Sequence, residues 1–351
     1  MERRKSKVVS IGGVKIGGTE SVKIQSMCTH KTSDIAATSA QINALGAAGC
    51  EIVRVSVLDE SDACAIAKLK SECKLPIVAD IHFSYKLAVA AIESGCDKVR
   101  INPGNIGGES QIMAVADCIK AHKIPVRVGA NTGSLEKTYE EKYGRSAEAL
   151  VESALYNAHI LEKYGVDDIV LAVKSSDAQM TYKAYSLLAE KCGYPLHIGV
   201  TEAGVKDMAV VKSSAALGAL LLNGIGDTLR ISITGDPLEE VVAARRLLRA
   251  VGLDKNYVNV ISCPTCGRCQ WNVTELAEKV NKRVEYICKP LKVAVMGCVV
   301  NGPGEAKDCD LGIAGAAEYC VIFKRGELVR RVPSENAESE FFAELDGLIN
   351  D

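Results

Sequence analysis

Apolar positions along the 351-residue chain change period many times over. A short β-branched run gives way to a polar or glycine-containing stretch, and then to an Ala- and Leu-rich segment with apolar residues three and four apart. After a hairpin-like segment at 8–16, with Gly12, Gly13, Gly17 and Gly18 as turn residues, strands are predicted over 22–27, 51–57, 76–81, 98–102, 125–129, 167–173, 195–201 and 227–233. Helices are predicted over 38–48, 62–73, 85–94, 109–122, 147–164, 178–192, 205–222 and 237–250. Gly49, Gly95, Gly165 and Gly193 follow helices, where left-handed caps are expected. Eight β-α units in a row predict parallel strands, right-handed crossovers and an α/β fold closed as a (β/α)8 TIM-type barrel. An open doubly wound sheet is the weaker alternative, because no glycine-rich phosphate fingerprint follows the first strand.

The repeat stops around 252–257. Beyond it, strands are predicted over 258–261, 292–296, 311–314, 319–324 and 327–332, with helices over 274–286 and 335–349. This is the pattern of a small α+β domain. The chain is therefore expected to divide into a barrel at 1–255 and a second domain at 256–351.

Polar residues interrupt the barrel strands near their C-terminal ends. Barrel strands are buried on both faces, so such residues point to the catalytic rim. They are Arg54, Asp80 with His82, Arg100 with Asn102, Arg127 with Asn131, Lys174, Glu202, and Arg230 with Ser232. Four arginines and a lysine on one mouth suit a compact polyanion such as a diphosphate, because guanidinium forks match phosphate oxygens. Asp80 and Glu202 are the evident counter-ions, and Glu202, beside an apolar strand, is the candidate for proton transfer. His82 is the second candidate for that role.

In the second domain Cys263 and Cys266 form a C-x-x-C, and Cys298 and Glu305 flank a Gly-Pro-Gly turn some thirty residues later. Two thiols from one turn and a third from a glycine-containing loop are a soft-metal site in outline. Zinc would ordinarily be completed by a second C-x-x-C or a His pair, and no histidine follows Cys266. The set favours a [4Fe-4S] cluster with one unusual ligand, Glu305 being the nearest candidate, over a structural zinc knuckle. A carboxylate is a harder and weaker ligand than thiolate toward such a cluster.

Composition changes the picture little. The formal charge of −2 gives no reason to expect nucleic acid or an anionic membrane as partner. No apolar run approaches the ~18 residues that span a bilayer. Fourteen cysteines without an apolar leader point to a reducing cytoplasm, where most of Cys28, Cys50, Cys64, Cys73, Cys96, Cys118 and Cys192 are expected to act as small buried hydrophobes.

The segments C-P-T-C-G-R (263–268), M-G-C-V-V-N-G-P-G-E (296–305), V-R-I-N-P-G-N (99–105), G-V-T-E-A-G (199–204) and G-I-G-D-T-L-R-I-S (224–232) resemble, in order and spacing, the 4-hydroxy-3-methylbut-2-enyl diphosphate synthase family of the non-mevalonate isoprenoid pathway, in its two-domain bacterial form. The resemblance implies a [4Fe-4S] cluster on Cys263, Cys266, Cys298 and Glu305. It implies reductive ring opening and dehydration of 2-C-methyl-D-erythritol 2,4-cyclodiphosphate with electrons from ferredoxin or flavodoxin. Substrate ligands then carry over to Arg54, Arg100, Asn102, Arg127, Asn131, Lys174, Arg230 and Ser232, with Asp80 and His82 nearby, Glu202 as acid/base and Asn301 beside the substrate at the cluster. A homodimer in which one subunit's cluster domain covers the other's barrel mouth is implied as well. Cys269 departs from the family pattern by extending the motif to C-x-x-C-x-x-C. The competing assignment is a pterin- or methyl-transferase-like barrel with a structural zinc domain.

Overall fold

The structure, a computed structural model, describes residues 2–298, 304 and 306–350. It divides into two compact units, Met1–Leu253 and Asp254–Asp351.

The first unit opens with an antiparallel hairpin of β1 (Val9–Ile11) and β2 (Val14–Ile16). Eight parallel strands follow: β3 (Lys23–Met27), β4 (Ile52–Ser56), β5 (Ile77–Asp80), β6 (Lys98–Ile101), β7 (Val126–Asn131), β8 (Ile169–Lys174), β9 (His197–Ile198) and β10 (Thr228–Leu229). Each pairs with its neighbour in sequence, and β10 returns to β3. The ring closes between β8 and β9, where Leu171 bridges Leu196 and its N–H donates to the Pro195 carbonyl at 3.0 Å. The last two strands are much shorter than their apolar runs at 195–201 and 227–233 suggested.

Helices α1 (Ile35–Ala48), α2 (Glu60–Glu72), α3 (Tyr85–Glu93), α4 (Glu109–His122), α5 (Lys137–Tyr143), α6 (Ala147–Lys163), α7 (Ala178–Lys191), α8 (Lys206–Leu222) and α9 (Pro237–Ala250) connect the strands. Many begin at a side chain that takes an orphan N–H of the first turn: Asp34, Asp59, Ser84, Ser146, Asp177 and Asp236. Short α5, inside the long connection after β7, has no apolar stripe and no buried residue, so no periodicity announces it. Gly49, Gly95 and Gly165 take the expected positive φ, but Gly193 does not. The chain leaves α7 extended at Cys192, and the Gly193 carbonyl accepts the Lys7 N–H at 2.8 Å, tying down the N-terminal arm.

Strand residues alternate between two environments. Val53, Val55, Ile77, Ala79, Val99, Ile101, Val126, Val128, Leu171 and Val173 pack outward against the helices in one large core. The alternate positions face the barrel axis. Its floor is apolar: Ile52, Val78 and Val170 meet Val9, Ile11 and Ile16 of the hairpin, which seals that end. Above the floor the interior is polar. This departs from the usual barrel, whose inward layers are bulky and aliphatic.

In the second unit, β11 (Val258–Ser262), β12 (Leu291–Met296) and β13 (Leu311–Gly315) run parallel, and β14 (Tyr319–Lys324) and β15 (Glu327–Pro333) continue the sheet antiparallel. Helices α10 (Val273–Val284) and α11 (Ala337–Asn350) cover one face, burying Leu276, Val280, Phe341 and Leu345 against Val293, Ile313 and Ile322. Among the described residues no helix is long and apolar enough to cross a membrane.

The hairpin plug predicts a stability asymmetry. Ile11→Ala, at a fully buried floor position, is expected to cost about 2–5 kcal/mol in denaturant unfolding, whereas Val8→Ala, half exposed one residue before the hairpin, is expected to stay within ~0.5 kcal/mol.

Candidate functional site

The inward positions of the strands carry a dense set of ionic side chains. Asp80, at the end of β5, lies between two guanidinium groups: Arg100 Nη1 at 3.1 Å and Arg54 Nε at 3.6 Å. Burial pushes the Asp80 carboxyl up, but Arg54, Arg100 and Arg127 outweigh it and hold the group at about 2. Burial pushes Arg54 down to about 10, so both partners remain ionised at neutral pH. Met27, inward on β3, offers its thioether sulfur to Arg54 Nη2 at 2.8 Å.

Arg230 does not stand free in the mouth. Glu240, on α9 and almost fully buried, takes its Nε at 2.9 Å and Nη2 at 2.8 Å in a bidentate pair. The same carboxylate accepts from Ser26 Oγ at 2.8 Å and from the Ile233 N–H at 3.2 Å. Glu240 thus replaces Glu202 as a counter-ion. It reads in sequence as a solvated acid in a helix's first turn, and only the packing of α9 against β3 reveals it.

Arg127 is 3% exposed, and its Nε and Nη1 have no partner among the described residues. Arg100 Nε and Gln25 Nε2 are likewise buried without one. Lys174, at the end of β8, has its Nζ 3.2 Å from His197 Nε2, and Lys98 reaches only the Gln25 amide oxygen at 3.4 Å. Burial first, and then the neighbouring arginines, push Lys174, Lys98 and Arg127 well below their ordinary ranges. Six basic side chains (Arg54, Lys98, Arg100, Arg127, Lys174, Arg230) therefore face two buried carboxylates, Asp80 and Glu240. A charge surplus of this kind, out of water, is stabilised by a bound polyanion.

The smaller predicted ligands are placed as follows. Asn102 is buried and caps the turn after β6, its Oδ1 accepting the Gly104 N–H at 3.2 Å. Asn131 ends β7 and Ser232 lies beyond β10, and both are half-buried. His82 is half exposed, with Nδ1 3.4 Å from Arg100 Nη1 and Nε2 3.8 Å from Asp80. Glu202 is exposed and stands beyond β9 rather than on it, with a left-handed φ of 51° that a residue with a Cβ adopts only under local strain. Lys98 and His197 escaped the sequence criterion because they begin their strands rather than end them.

In the second unit the thiols gather at the C-terminal ends of two neighbouring parallel strands. Cys263 follows β11 and Cys298 follows β12. Cys263 Sγ accepts the Gly297 N–H at 2.9 Å. A Cβ at position 297 would stand 3.0 Å from Cys263 Sγ and 2.9 Å from Cys269 Sγ, so glycine there leaves the sulfur side open. Cys266 is exposed, and Cys263, Cys269 and Cys298 are half-buried. Cys269 Sγ is turned to the Trp271 carbonyl at 3.2 Å. In donor chemistry these residues suit an iron-sulfur cluster, with thiols after two neighbouring strands and one sulfur receiving a backbone N–H, while among the described residues no three ligating side chains stand together as a closed metal site. Asn301 and Glu305 lie outside the described residues.

The barrel cysteines behave differently. Cys28, Cys50, Cys73 and Cys96 are buried, and burial pushes the thiols of Cys28 and Cys96 up to about 12 and that of Cys50 to about 11. They are inert, protonated packing residues. Cys64 is exposed, so the expectation of burial fails there, and Cys118 and Cys192 are only half-buried.

Known proteins divide in the same places. Residues 6–245 match the GcpE TIM-barrel domain and residues 259–347 the GcpE protein C-terminal domain. Among curated relatives, 4-hydroxy-3-methylbut-2-en-1-yl diphosphate synthase (flavodoxin) of Caldanaerobacter subterraneus subsp. tengcongensis is 49% identical over 350 residues, covering 99% of each chain. The proteins of the same name from Ruminiclostridium cellulolyticum (46% over 346 residues, 98% of each chain) and Bacillus subtilis (49% over 345 residues, 98% of this chain and 92% of the relative) are similar to it throughout. Solved barrels share the fold alone. A Yersinia pestis DHPS structure with a pterine-sulfa conjugate superposes with a TM-score of 0.52 at 11% identity, over 70% of this chain and all of that one. Type I 3-dehydroquinate dehydratase of Clostridium difficile gives 0.51 at 12%, over 71% of this chain and 97% of that one. The pterin-type alternative thus rests on a shared barrel, while the full-length relatives carry a different name. On matches that span both units, the chain belongs to the 4-hydroxy-3-methylbut-2-en-1-yl diphosphate synthase (flavodoxin) family.

Proposed function

We propose that this chain carries out the reductive ring opening and dehydration of 2-C-methyl-D-erythritol 2,4-cyclodiphosphate to 4-hydroxy-3-methylbut-2-enyl diphosphate, with flavodoxin as electron donor. The observation that carries this reading is Arg127: a buried guanidinium with two unpartnered nitrogens, beside Arg100 and Lys174, in a chamber with too few carboxylates. Such a group is costly until an anion meets it.

Arg54, Arg100, Arg127, Lys174 and Arg230 hold the diphosphate. Asp80 fixes Arg54 and Arg100, and Glu240 fixes Arg230, so these forks are oriented before substrate arrives. Asn102, Asn131, Ser232 and His82 line the strand ends around them. Glu202, exposed and with no ion pair among the described residues, delivers the proton with which the substrate hydroxyl leaves as water. Cys263, Cys266, Cys298 and Glu305 would hold a [4Fe-4S] cluster, which supplies the two electrons that the ring opening consumes. Asn301 hydrogen-bonds near the substrate. The second unit is accordingly the cluster domain and the first the substrate domain, and the protein works as a homodimer.

Reduced, cluster-loaded protein is expected to convert the cyclic diphosphate to the linear allylic product; intact substrate after many turnover times would end this reading. Glu202→Gln is expected to lower kcat by about 10²–10⁴-fold with KM nearly unchanged. Iron and sulfide analysis separates the thiols: Cys266→Ser is expected to lose the cluster, and Cys269→Ser to keep it. Asp80→Asn is expected to cost about 3–5 kcal/mol at neutral pH, because it leaves two buried guanidinium groups without their shared partner. The Asp80 carboxyl is depressed on folding, so its contribution is present above the unfolded value of about 4 and is lost as pH falls toward about 2. Urea midpoints measured across that window are expected to fall with acid in the wild type and less steeply in the variant.

A further inference from the structure

The partner of Lys174 is not a carboxylate. Asp80 is taken by Arg54 and Arg100, and Glu240 by Arg230, so among the described residues the partner of the ammonium is His197, whose Nε2 lies 3.2 Å away. His197 starts β9 and is fully buried. It is held from three directions. Thr228, its register partner on β10, brings Oγ1 within 2.8 Å of Nδ1, and its backbone carbonyl accepts the Tyr185 hydroxyl of α7 at 2.6 Å. With Nε2 accepting from Lys174, the ring proton is on Nδ1 and donates to Thr228 Oγ1.

Gly199 completes the seat. A Cβ there would stand 2.8 Å from Lys174 Nζ and 2.8 Å from the Arg230 carbonyl oxygen, so only glycine lets the ammonium lie across β9 at this height. Its φ is not positive, and space alone is the reason for the residue.

We infer that His197 is a positioning residue for Lys174: its imidazole takes one ammonium proton at Nε2, over the gap left by Gly199, and so leaves the other two donors for the bound diphosphate. A neutral acceptor suits the place. An acid here would pair with the lysine and cancel the charge the substrate needs, whereas a neutral imidazole orients the side chain and takes none of the charge that the bound diphosphate stabilises. Burial, then the charges of Lys174 and Arg127, keep His197 well below its ordinary range, so it stays an acceptor.

The inference rests on the barrel mouth taking a diphosphate, and the probe tests both. Holoenzyme is titrated calorimetrically with inorganic pyrophosphate. His197→Leu, apolar and of similar size, is expected to weaken binding about tenfold to hundredfold, the range of one hydrogen bond to a charged group. His197→Gln, whose amide oxygen can take the same proton, is expected to recover most of the loss. In a Lys174→Ala background His197→Leu is expected to cost nothing further. Equal losses with and without Lys174, or no loss when Lys174 is present, would overturn the positioning role and leave the anion site standing. Undiminished binding by Lys174→Ala would likewise overturn the positioning role and leave the anion site standing, whereas absence of pyrophosphate binding by the wild type would remove both.

Discussion

One buried carboxylate shared by two guanidinium groups sets the terms for the barrel. Asp80 neutralises part of the charge of Arg54 and Arg100 and fixes where both forks sit. It cannot also serve Arg127, Lys174 or Lys98. Among the described residues the interior is therefore left with positive charge that no carboxylate answers, a deficit of the kind a bound polyanion balances. Repulsion among the cations is tolerable only because the surrounding structure is rigid.

That rigidity comes from the opposite face of the same strands. Val53, Ile77, Val99, Val128 and Leu171 bury against the helices in a continuous apolar layer, and the hairpin residues Val9, Ile11 and Ile16 close the floor. With the outer layer and the floor carrying the hydrophobic burial, the upper interior is released from the aliphatic filling that barrels ordinarily need. A strand's two faces thus have two separate tasks, and the period of two keeps them apart.

The second unit solves a related problem on a different sheet. Parallel strands β11 and β12 end side by side, and their last turns carry Cys263 and Cys298. Trp271 donates its indole N–H to the Met296 carbonyl at 3.2 Å and packs into the space above Gly315, so the loop that follows the C-x-x-C is tied to the end of β12. Glycine at 297 opens the sulfur side. In both units candidate site residues sit at the carboxyl ends of parallel strands, and a glycine gives a side chain its room: Gly199 for Lys174, Gly297 for the thiols.

Much of this was legible in the order of residues. Eight alternations of period announced the barrel, and five of its helices, including α4 and α9, begin where the predicted segments did. Local chemistry decides those features: helix periodicity, N-caps at Asp and Ser, glycine after a helix. The charged residues in or just after the strands, Arg54, Asp80, Arg100, Arg127, Lys174 and Arg230, were also visible, because a charge inside an apolar run has few innocent explanations, although Arg127 stands near the start of β7 rather than its end. Three things were not. Glu240 looked like a surface acid until α9 packed on β3, and the supposed counter-ion Glu202 lies exposed beyond β9. His197 and Lys98 became site residues only when strand alternation turned them to the axis. The unpartnered nitrogens of Arg127 have no signature in a sequence at all. Sequence determines which groups are charged and which face of an element they share; which charge meets which depends on distances between elements far apart in the chain, and those distances exist only once the barrel has closed.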